Sequence, residues 1–250
     1  MRKLFVPLLA SLLFITCNKH HDQTKIDVCH YDSKKGTSHT ITIAANAWPA
    51  HQAHGDLLGD CSKVATTICD QTWMVKNLDV DHYRNGDPIP QVTDPIEWQN
   101  LTTGAWCNYN HDPANGLVYG KLYNWYAVAD TRGLAPKGWH IPSDVEWTTL
   151  SDCLGGEAVA GGKLKEMGTT HWASPNTDAT NNSGFTGVPG GVRFNGNGSF
   201  GLFNNYGYWW SSTETGTESA WTRSLYWNNG YIGRENHYAR DGFSVRCVRD

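Results

Sequence analysis

The closing stretch of this chain constrains its fold more than any other. Three runs stand out: Tyr208-Trp209-Trp210-Ser211-Ser212, Ala220-Trp221-Thr222-Arg223-Ser224-Leu225 and Gly242-Phe243-Ser244-Val245-Arg246-Cys247-Val248-Arg249-Asp250. The second and third read as strands, because β-branched and aromatic residues suit a pleated, half-buried surface. Between them, residues 226–241 are dense in Trp, Asn, Tyr, Arg and His. A stretch suited to surface contact is thus framed by rigid elements, which points to a scaffold displaying a recognition surface rather than to a catalytic centre.

At 250 residues the chain holds one sizeable domain with attachments. Twelve Trp, eleven Tyr and 26 Gly against 18% charged residues describe a loop-rich fold in which large aromatics supply the core. A net charge of -4 leaves no basic footprint, so nucleic acid is not an expected partner.

Arg2 and Lys3 precede an uncharged run over residues 4–16, too short to span a bilayer and of the right length for a signal-peptide core. The run stops at Cys17, and the arrangement resembles a bacterial lipoprotein signal, residues 1–17, in which that Cys becomes the lipidated first residue. Phe14 and Thr16 depart from the usual Leu and small residue of that pattern. The expectation is an exported protein anchored by lipid in the cell envelope, at the outer membrane, with residues 18–27 as a polar tether.

Six further cysteines remain: Cys29, Cys61, Cys69, Cys107, Cys153 and Cys247. In an exported chain an even number reads first as disulfides, and sequence alone does not choose among the pairings. Residues 28–62 form a small unit flanked by Cys29 and Cys61. Its middle, residues 38–43, alternates as a strand should, residues 44–54 suit a short helix carrying His51 and His54, and it closes on His54-Gly55-Asp56. A zinc site drawing on Cys29, His30, His51, His54 and Cys61 competes with a Cys29–Cys61 staple. The staple is the preferred reading and no metal is assigned, since no Cys-x-x-Cys knuckle occurs and the compartment is oxidising. The unit also resembles a Cys-flanked His-Gly-Asp module found at the front of exported bacterial proteins, which brings no activity with it.

From about Cys69 the main domain begins. Residues 71–78 read as a strand, and residues 119–129 as a buried helix through Leu122, Trp125, Tyr126 and Ala129. Ser143 with Glu146 makes a capping box for a second helix that ends before Gly155-Gly156, and a third covers residues 158–167 despite Gly161 and Gly162. Beyond Ser174 the chain reads as loops and antiparallel sheet.

The series Trp73-Met74-Val75-Lys76-Asn77-Leu78, residues 119–127, Gly138-Trp139-His140-Ile141-Pro142-Ser143-Asp144, residues 184–191, Trp209-Trp210-Ser211-Ser212 and Phe243-Ser244-Val245-Arg246-Cys247 resembles the Fibrobacter succinogenes major paralogous domain family over residues 66–250. That family is similar to C-type lectin-like folds and to the formylglycine-generating sulfatase-modifying enzymes. The resemblance implies an α+β, C-type lectin-like domain with two main helices and a twisted antiparallel sheet, and no settled activity. It also implies a Cys153–Cys247 disulfide tying the first long helix to the last strand, which leaves Cys69 with Cys107.

Several local patterns are weighed against plainer readings. Gly196-x-Gly198-x-x-Gly201 has neither the strand nor the helix a dinucleotide site needs and reads as a glycine-rich turn. No His-Glu-x-x-His or Gly-x-Ser-x-Gly occurs. Asn108, Asn110, Asp112 and Asn115 cluster as oxygen ligands for calcium do, but Pro113 and Tyr119 occupy the positions where an EF-hand needs Gly and an acid, so Asx-turns are expected. An irregular calcium site stays open there, because lectin-like folds often hold one; no other cofactor is expected. His140 reads as structural, and no catalytic residue is assigned.

The expected function is a binding protein that recognises glycan or protein through Trp227, Asn228, Asn229, Tyr231, Arg234, Asn236, His237, Tyr238 and Arg240. Lectin-like proteins with diversified surfaces vary the corresponding segment, so the resemblance points to the same place. The rivals are an enzyme related to the formylglycine-generating group, which would need a reactive cysteine pair, and a purely structural envelope protein.

Overall fold

A computed structural model of the chain describes residues 24–32, 34–35, 37–53 and 55–250. The expected signal segment, Cys17, most of the expected tether and His54 lie outside the described residues. The fold is α+β: short helices, antiparallel sheets and much irregular chain. Among the described residues no helix is long and apolar enough to cross a membrane.

The first unit is a three-stranded sheet in the order β2-β1-β3, from β1 (Lys25–Asp32), β2 (Thr37–Ala44) and β3 (Leu57–Leu58). Helices α1 (Trp48–Ala53) and α2 (Cys61–Val64) complete it. The Cys29–Cys61 staple is present, with Cα atoms 4.5 Å apart. Such a unit buries few side chains, so a cross-link is what its size requires. It leans on the rest of the chain through Arg249, whose guanidinium lies 4.6 Å from both the Tyr31 and Trp139 rings and donates to Ser38 Oγ. Gly55 sits so close to Lys137 that a Cβ there would fall 1.9 Å from its carbonyl oxygen, and its φ is +86°. Glycine at that point of the His-Gly-Asp sequence is therefore a packing requirement. Between the unit and the larger domain lies a cavity of about 510 Å³ walled by residues including Trp48, Gln52, Asp79 and Tyr83.

In the larger domain, β4 (Ala65–Ile68) and β5 (Gln71–Met74) form a hairpin. It continues through the last strand, β14 (Val248–Arg249), to β8 (Trp139–His140), giving the order β4-β5-β14-β8. Around it run α3 (Pro95–Gln99), β6 (Trp106–Cys107), α4 (Pro113–Tyr119), β7 (Leu122–Tyr123) and α5 (Trp125–Val128), then α6 (Asp144–Cys153) and α7 (Glu157–Leu164). A small hairpin pairs β9 (Val192–Arg193) with β10 (Phe200–Gly201). The long strands β11 (Tyr206–Gly216), β12 (Ser219–Tyr226) and β13 (Ile232–Tyr238) form the largest sheet. Successive side chains of β11 alternate between its faces. Accordingly Trp210 joins a core with Tyr123, Trp139 and Phe243, whereas Trp209 joins a second with Trp73, Trp147 and Phe185. This sheet is the wall between two cores.

The capping box holds: Ser143 Oγ accepts from Glu146 N–H, while the Glu146 carboxylate accepts from Ser143 N–H. Helix α7 keeps its two glycines because each allows a close approach, a Cβ at Gly161 falling 2.2 Å from the Tyr231 carbonyl oxygen and one at Gly162 2.5 Å from that of Asp178. The single helix expected over residues 119–129 is not formed. Gly120, at φ +73°, ends α4, Leu122 pairs with Cys107 in a strand, and only Trp125–Val128 is helical, capped by Asn124. Nor does the last run form a continuous strand. Residues 242–247 instead bond several separate neighbours: Gly242 pairs with Arg193, Phe243 with Tyr123, Ser244 accepts from Trp210 and donates to Tyr208, and the Val245 and Cys247 carbonyls accept from Leu78 and Met74.

The disulfide pairing implied by the resemblance is overturned. Cys69 is bonded to Cys153, with Cα atoms 6.7 Å apart, while Cys107 and Cys247 are free and buried. Cys69 occupies the exposed tip of the β4–β5 hairpin and Cys153 the exposed end of α6, whereas Cys247 lies wholly inside the core. The Asn108–Asn115 cluster is spent locally, as Asx-turns require: Asp112 Oδ1 caps α4 at Ala114 N–H, and Asn115 donates to Tyr109 O. Gly196 and Gly198 lie in the connection of the β9–β10 hairpin, and Gly201 pairs with Val192 in β10.

Much of the irregular chain is tied to buried cations. Arg246 is fully buried and donates to Asn77 Oδ1 and to the carbonyls of Met74, Val75 and Phe185. Arg193 donates to the carbonyls of Val92, Thr93, Asp94 and Gly198, with the Trp98 ring 4.3 Å from its guanidinium. Lys165 spends its three ammonium protons on the carbonyls of Thr177, Tyr226 and Asn229. Burial satisfied in this way replaces the ladders that loops lack.

Candidate ligand-binding site

The segment expected to bind ligand is built from the β12–β13 connection and β13 itself. The connection is fixed from below: Lys165 holds the Tyr226 and Asn229 carbonyls, Gly161 lets α7 lie against Tyr231, and Asn229 Oδ1 accepts from Tyr231 N–H. Trp227 is half-buried against the second core, and Asn228 and Tyr231 are exposed. Tyr231 stacks loosely on Tyr226, their ring centroids 6.1 Å apart.

Along β13 the side chains alternate. Arg234, Asn236 and Tyr238 take one face and are exposed, while Glu235 and His237 take the other. Arg234 is committed to the fold: its Nη2 lies 2.8 Å from Asp144 Oδ2, and its guanidinium stacks 3.5 Å from the centre of the Trp221 ring. Asp144 also accepts from the buried Arg223 at 2.8 Å. Burial opposes ionisation of Asp144, but the two guanidinium groups outweigh it and hold its carboxyl below the usual range. Asn236 and Tyr238 have no such partners among the hydrogen bonds of the described residues. Arg240 reaches Glu218 at 3.3 Å on the surface.

The other face is a polar network set among rings. Glu235 accepts from Tyr226 Oη at 2.6 Å and lies 3.2 Å from His237 Nε2. His237 Nδ1 is 3.6 Å from Asp241, and its ring packs edge-on against Tyr208 and Phe243. Asp241 in turn accepts from Asn195 N–H at 2.9 Å and from its side-chain amide at 2.8 Å. Burial works against a charged imidazole here, but the Asp241 and Glu235 carboxylates prevail and raise the His237 pKa to about 9. A cavity of about 260 Å³ opens beside this network, walled by Phe194, Asn195, Tyr208, His237, Tyr238 and Asp241 among others.

Of the nine residues expected to bind, the structure thus brings His237 and Tyr238 to one cavity. Asn228, Tyr231 and Asn236 stand on the surface outside it, and Trp227, Asn229, Arg234 and Arg240 are engaged in holding the chain in place. Phe194, Asn195, Tyr208 and Asp241 were missed. Asp241 closes the same segment, and Asn195 opens the glycine-rich turn that the sequence marks only as a turn. His140, expected to be structural and without a nameable partner, lies between Glu146 at 2.7 Å and Asp250 at 2.8 Å. Burial opposes its charge, but these two carboxylates raise its pKa above the ordinary value.

No curated protein and no solved structure matches this sequence. The family model for the Fibrobacter succinogenes major domain matches residues 66–249, which include the two cores on either side of the β11–β12–β13 sheet, the cavity beside β13 and, but for Ala65, the β4-β5-β14-β8 sheet. The chain belongs to the Fibrobacter succinogenes major domain family.

Proposed function

We propose that this is an exported, lipid-anchored envelope protein whose lectin-like domain binds a glycan in the cavity beside β13. The carrying observation is the composition of that cavity. The exposed rings of Phe194 and Tyr238 offer apolar faces of the kind that pack on the C–H face of a sugar ring, and Asn195 and Asp241 offer polar groups for hydroxyls. Small-molecule sites generally combine apolar walls with a few fixed polar groups in this manner. His237 directs both ring nitrogens at the Glu235 and Asp241 carboxylates and so holds Asp241 in place at the cavity wall.

The enzyme reading, kinship with the formylglycine-generating group, calls for reactive cysteines. Cys107 and Cys247 are both fully buried, and burial pushes each thiol up to about 12, which leaves little thiolate to react. Cys247 lies in the core of Trp210 and Phe243, whereas Cys107 lies in a third, smaller cluster with Val92, Trp98 and Leu122. These observations favour binding.

A glycan array probed with the full chain, alongside Tyr238→Ala and Asn195→Ala, tests the proposal. A bound glycan class whose signal falls at least tenfold in both variants, with unchanged melting temperature, is the expected result. Undiminished signal in both would move the site elsewhere, with the Asn108–Asn115 loop next, and an array with no bound glycan would leave a protein ligand as the successor reading.

A further inference from the structure

We infer that the small N-terminal unit binds a divalent transition-metal ion of the zinc class through His30, His51 and Asp56. Three separate elements deliver these side chains to one point. His30 follows the stapled Cys29 in β1, His51 lies in α1, and the chain turns back at Gly55 so that Asp56 N–H donates to the His51 carbonyl. Both imidazoles meet the same carboxylate oxygen through Nδ1: His30 at 2.9 Å and His51 at 2.7 Å from Asp56 Oδ2. The other oxygen accepts from Tyr31 N–H at 3.1 Å.

Asp56 is the unusual member. Its side chain has no exposure, and among the described residues no Lys or Arg pairs with it. A fully buried carboxylate is costly unless positive charge or full hydrogen bonding accompanies it, and a divalent ion would supply that charge. The geometry suits one. Ligand atoms drawn from the three residues lie within 4.8 Å of one another. Ligands around a tetrahedral zinc, with bonds of about 2.0–2.1 Å, stand roughly 3.4 Å apart, so modest movement opens the cluster around an ion. The His30 and His51 rings lie at 84° to each other with centroids 6.0 Å apart, an arrangement that lets both nitrogens converge without stacking. His39 sits directly across from His30 in the β1–β2 register, its ring 5.4 Å away, outside the converging trio, so water completes the shell of an ion held by the three residues. The His30 and His51 side chains are 33% and 23% exposed, which gives an ion a route in.

This site differs from the Cys-His arrangement weighed from the sequence. Cys29 and Cys61 are bonded to each other and so are not thiolate ligands; they fix the strand that carries His30. Two imidazoles and a carboxylate make a donor set that zinc accepts.

The full chain, stripped with EDTA and dialysed, is titrated with zinc sulfate by calorimetry and followed by thermal melting. One equivalent should bind and raise the melting temperature by several degrees. His30→Gln and His51→Gln should each weaken binding at least a hundredfold while keeping the EDTA-treated melting temperature within a few degrees of the parent. Asp56→Asn disturbs a buried hydrogen-bonded group as well, so the histidine variants decide. Absence of any zinc-dependent shift in the parent would show that the cluster is a metal-free His–Asp–His hydrogen-bond hub. Equal affinity in both histidine variants would place the ion elsewhere, as at His20-His21, and would overturn the assignment too.

Discussion

Replacing Cys69 and Cys153 together by Ser should cost about 4.5 kcal/mol of stability. The bond spans a sequence separation of 84 residues. In the chain-entropy model the cross-link removes about 15 cal/mol/K from the unfolded ensemble, which at 25 °C gives that figure. Both cysteines are exposed, so the substitution takes little packing with it, and the effect isolates the constraint on the unfolded chain. Ser at position 69 also keeps any backbone penalty nearly constant, since Cys69 already adopts φ +52°. The assay is equilibrium urea unfolding followed by tryptophan fluorescence, with circular dichroism as a second probe to check that the transition is two-state. A loss below about 1 kcal/mol would refute the entropic argument. Non-reducing peptide maps that linked Cys153 to Cys247 would refute the pairing itself.

In a Cys17→Ala chain, thiol titration should find no reactive group in the native state and two after unfolding, because Cys107 and Cys247 are buried and held protonated; one reactive thiol in the native protein would contradict this. Arg246→Met should destabilise by on the order of 4 kcal/mol, since it takes the donor from the Met74, Val75 and Phe185 carbonyls inside the core and leaves Asn77 Oδ1 with only the Trp209 indole N–H, and Arg246→Lys should recover only part. A loss under 1 kcal/mol in denaturant unfolding would be at odds with that. The His237 pKa is raised on folding, so its contribution is fully present below about pH 6.5 and fades as pH climbs through about 9. The stability gap between the parent and His237→Gln should accordingly shrink from pH 6 to pH 9.5, and a gap that stayed constant would count against a charged His237.

Where a feature is encoded within one turn of chain, the sequence reveals it. The Ser143–Glu146 capping box belongs to this class, whereas the Cys29–Cys61 staple, 32 residues apart, is legible instead from the needs of a very small unit. The β13 strand was hidden for a different reason. Arg234, Glu235, Asn236, His237 and Tyr238 carry polar groups on both faces, because one face meets solvent and the other meets a polar network, so no apolar alternation exists to detect. The helix expected over residues 119–129 failed at Gly120, whose positive φ suits the close contact with Asn77 and Leu78 that only the tertiary structure imposes. Cys69 and Cys153 could not be paired for a similar reason: the hairpin tip and the end of α6 become neighbours only after both pack on Trp73 and Trp147. The sequence reading and the proposed cavity share the β12–β13 hairpin, but the sequence favours its outward residues. Asn195 and Tyr208 come from other parts of the chain, and nothing local marks them as cavity walls.

The buried cations have a consequence for how such a domain can change. Arg193, Lys165 and Arg246 grip mostly peptide carbonyls, and a carbonyl is present whatever side chain its residue carries. A loop held in this fashion keeps its course when its outward side chains are exchanged, because its anchors ignore their identity. The Lys165 clamp at Asn229 sits at the foot of the connection that displays Asn228 and Tyr231. Those exposed positions can therefore be randomised on an invariant main-chain path, which makes the β12–β13 hairpin a natural place to install new specificities without redesigning the body beneath it.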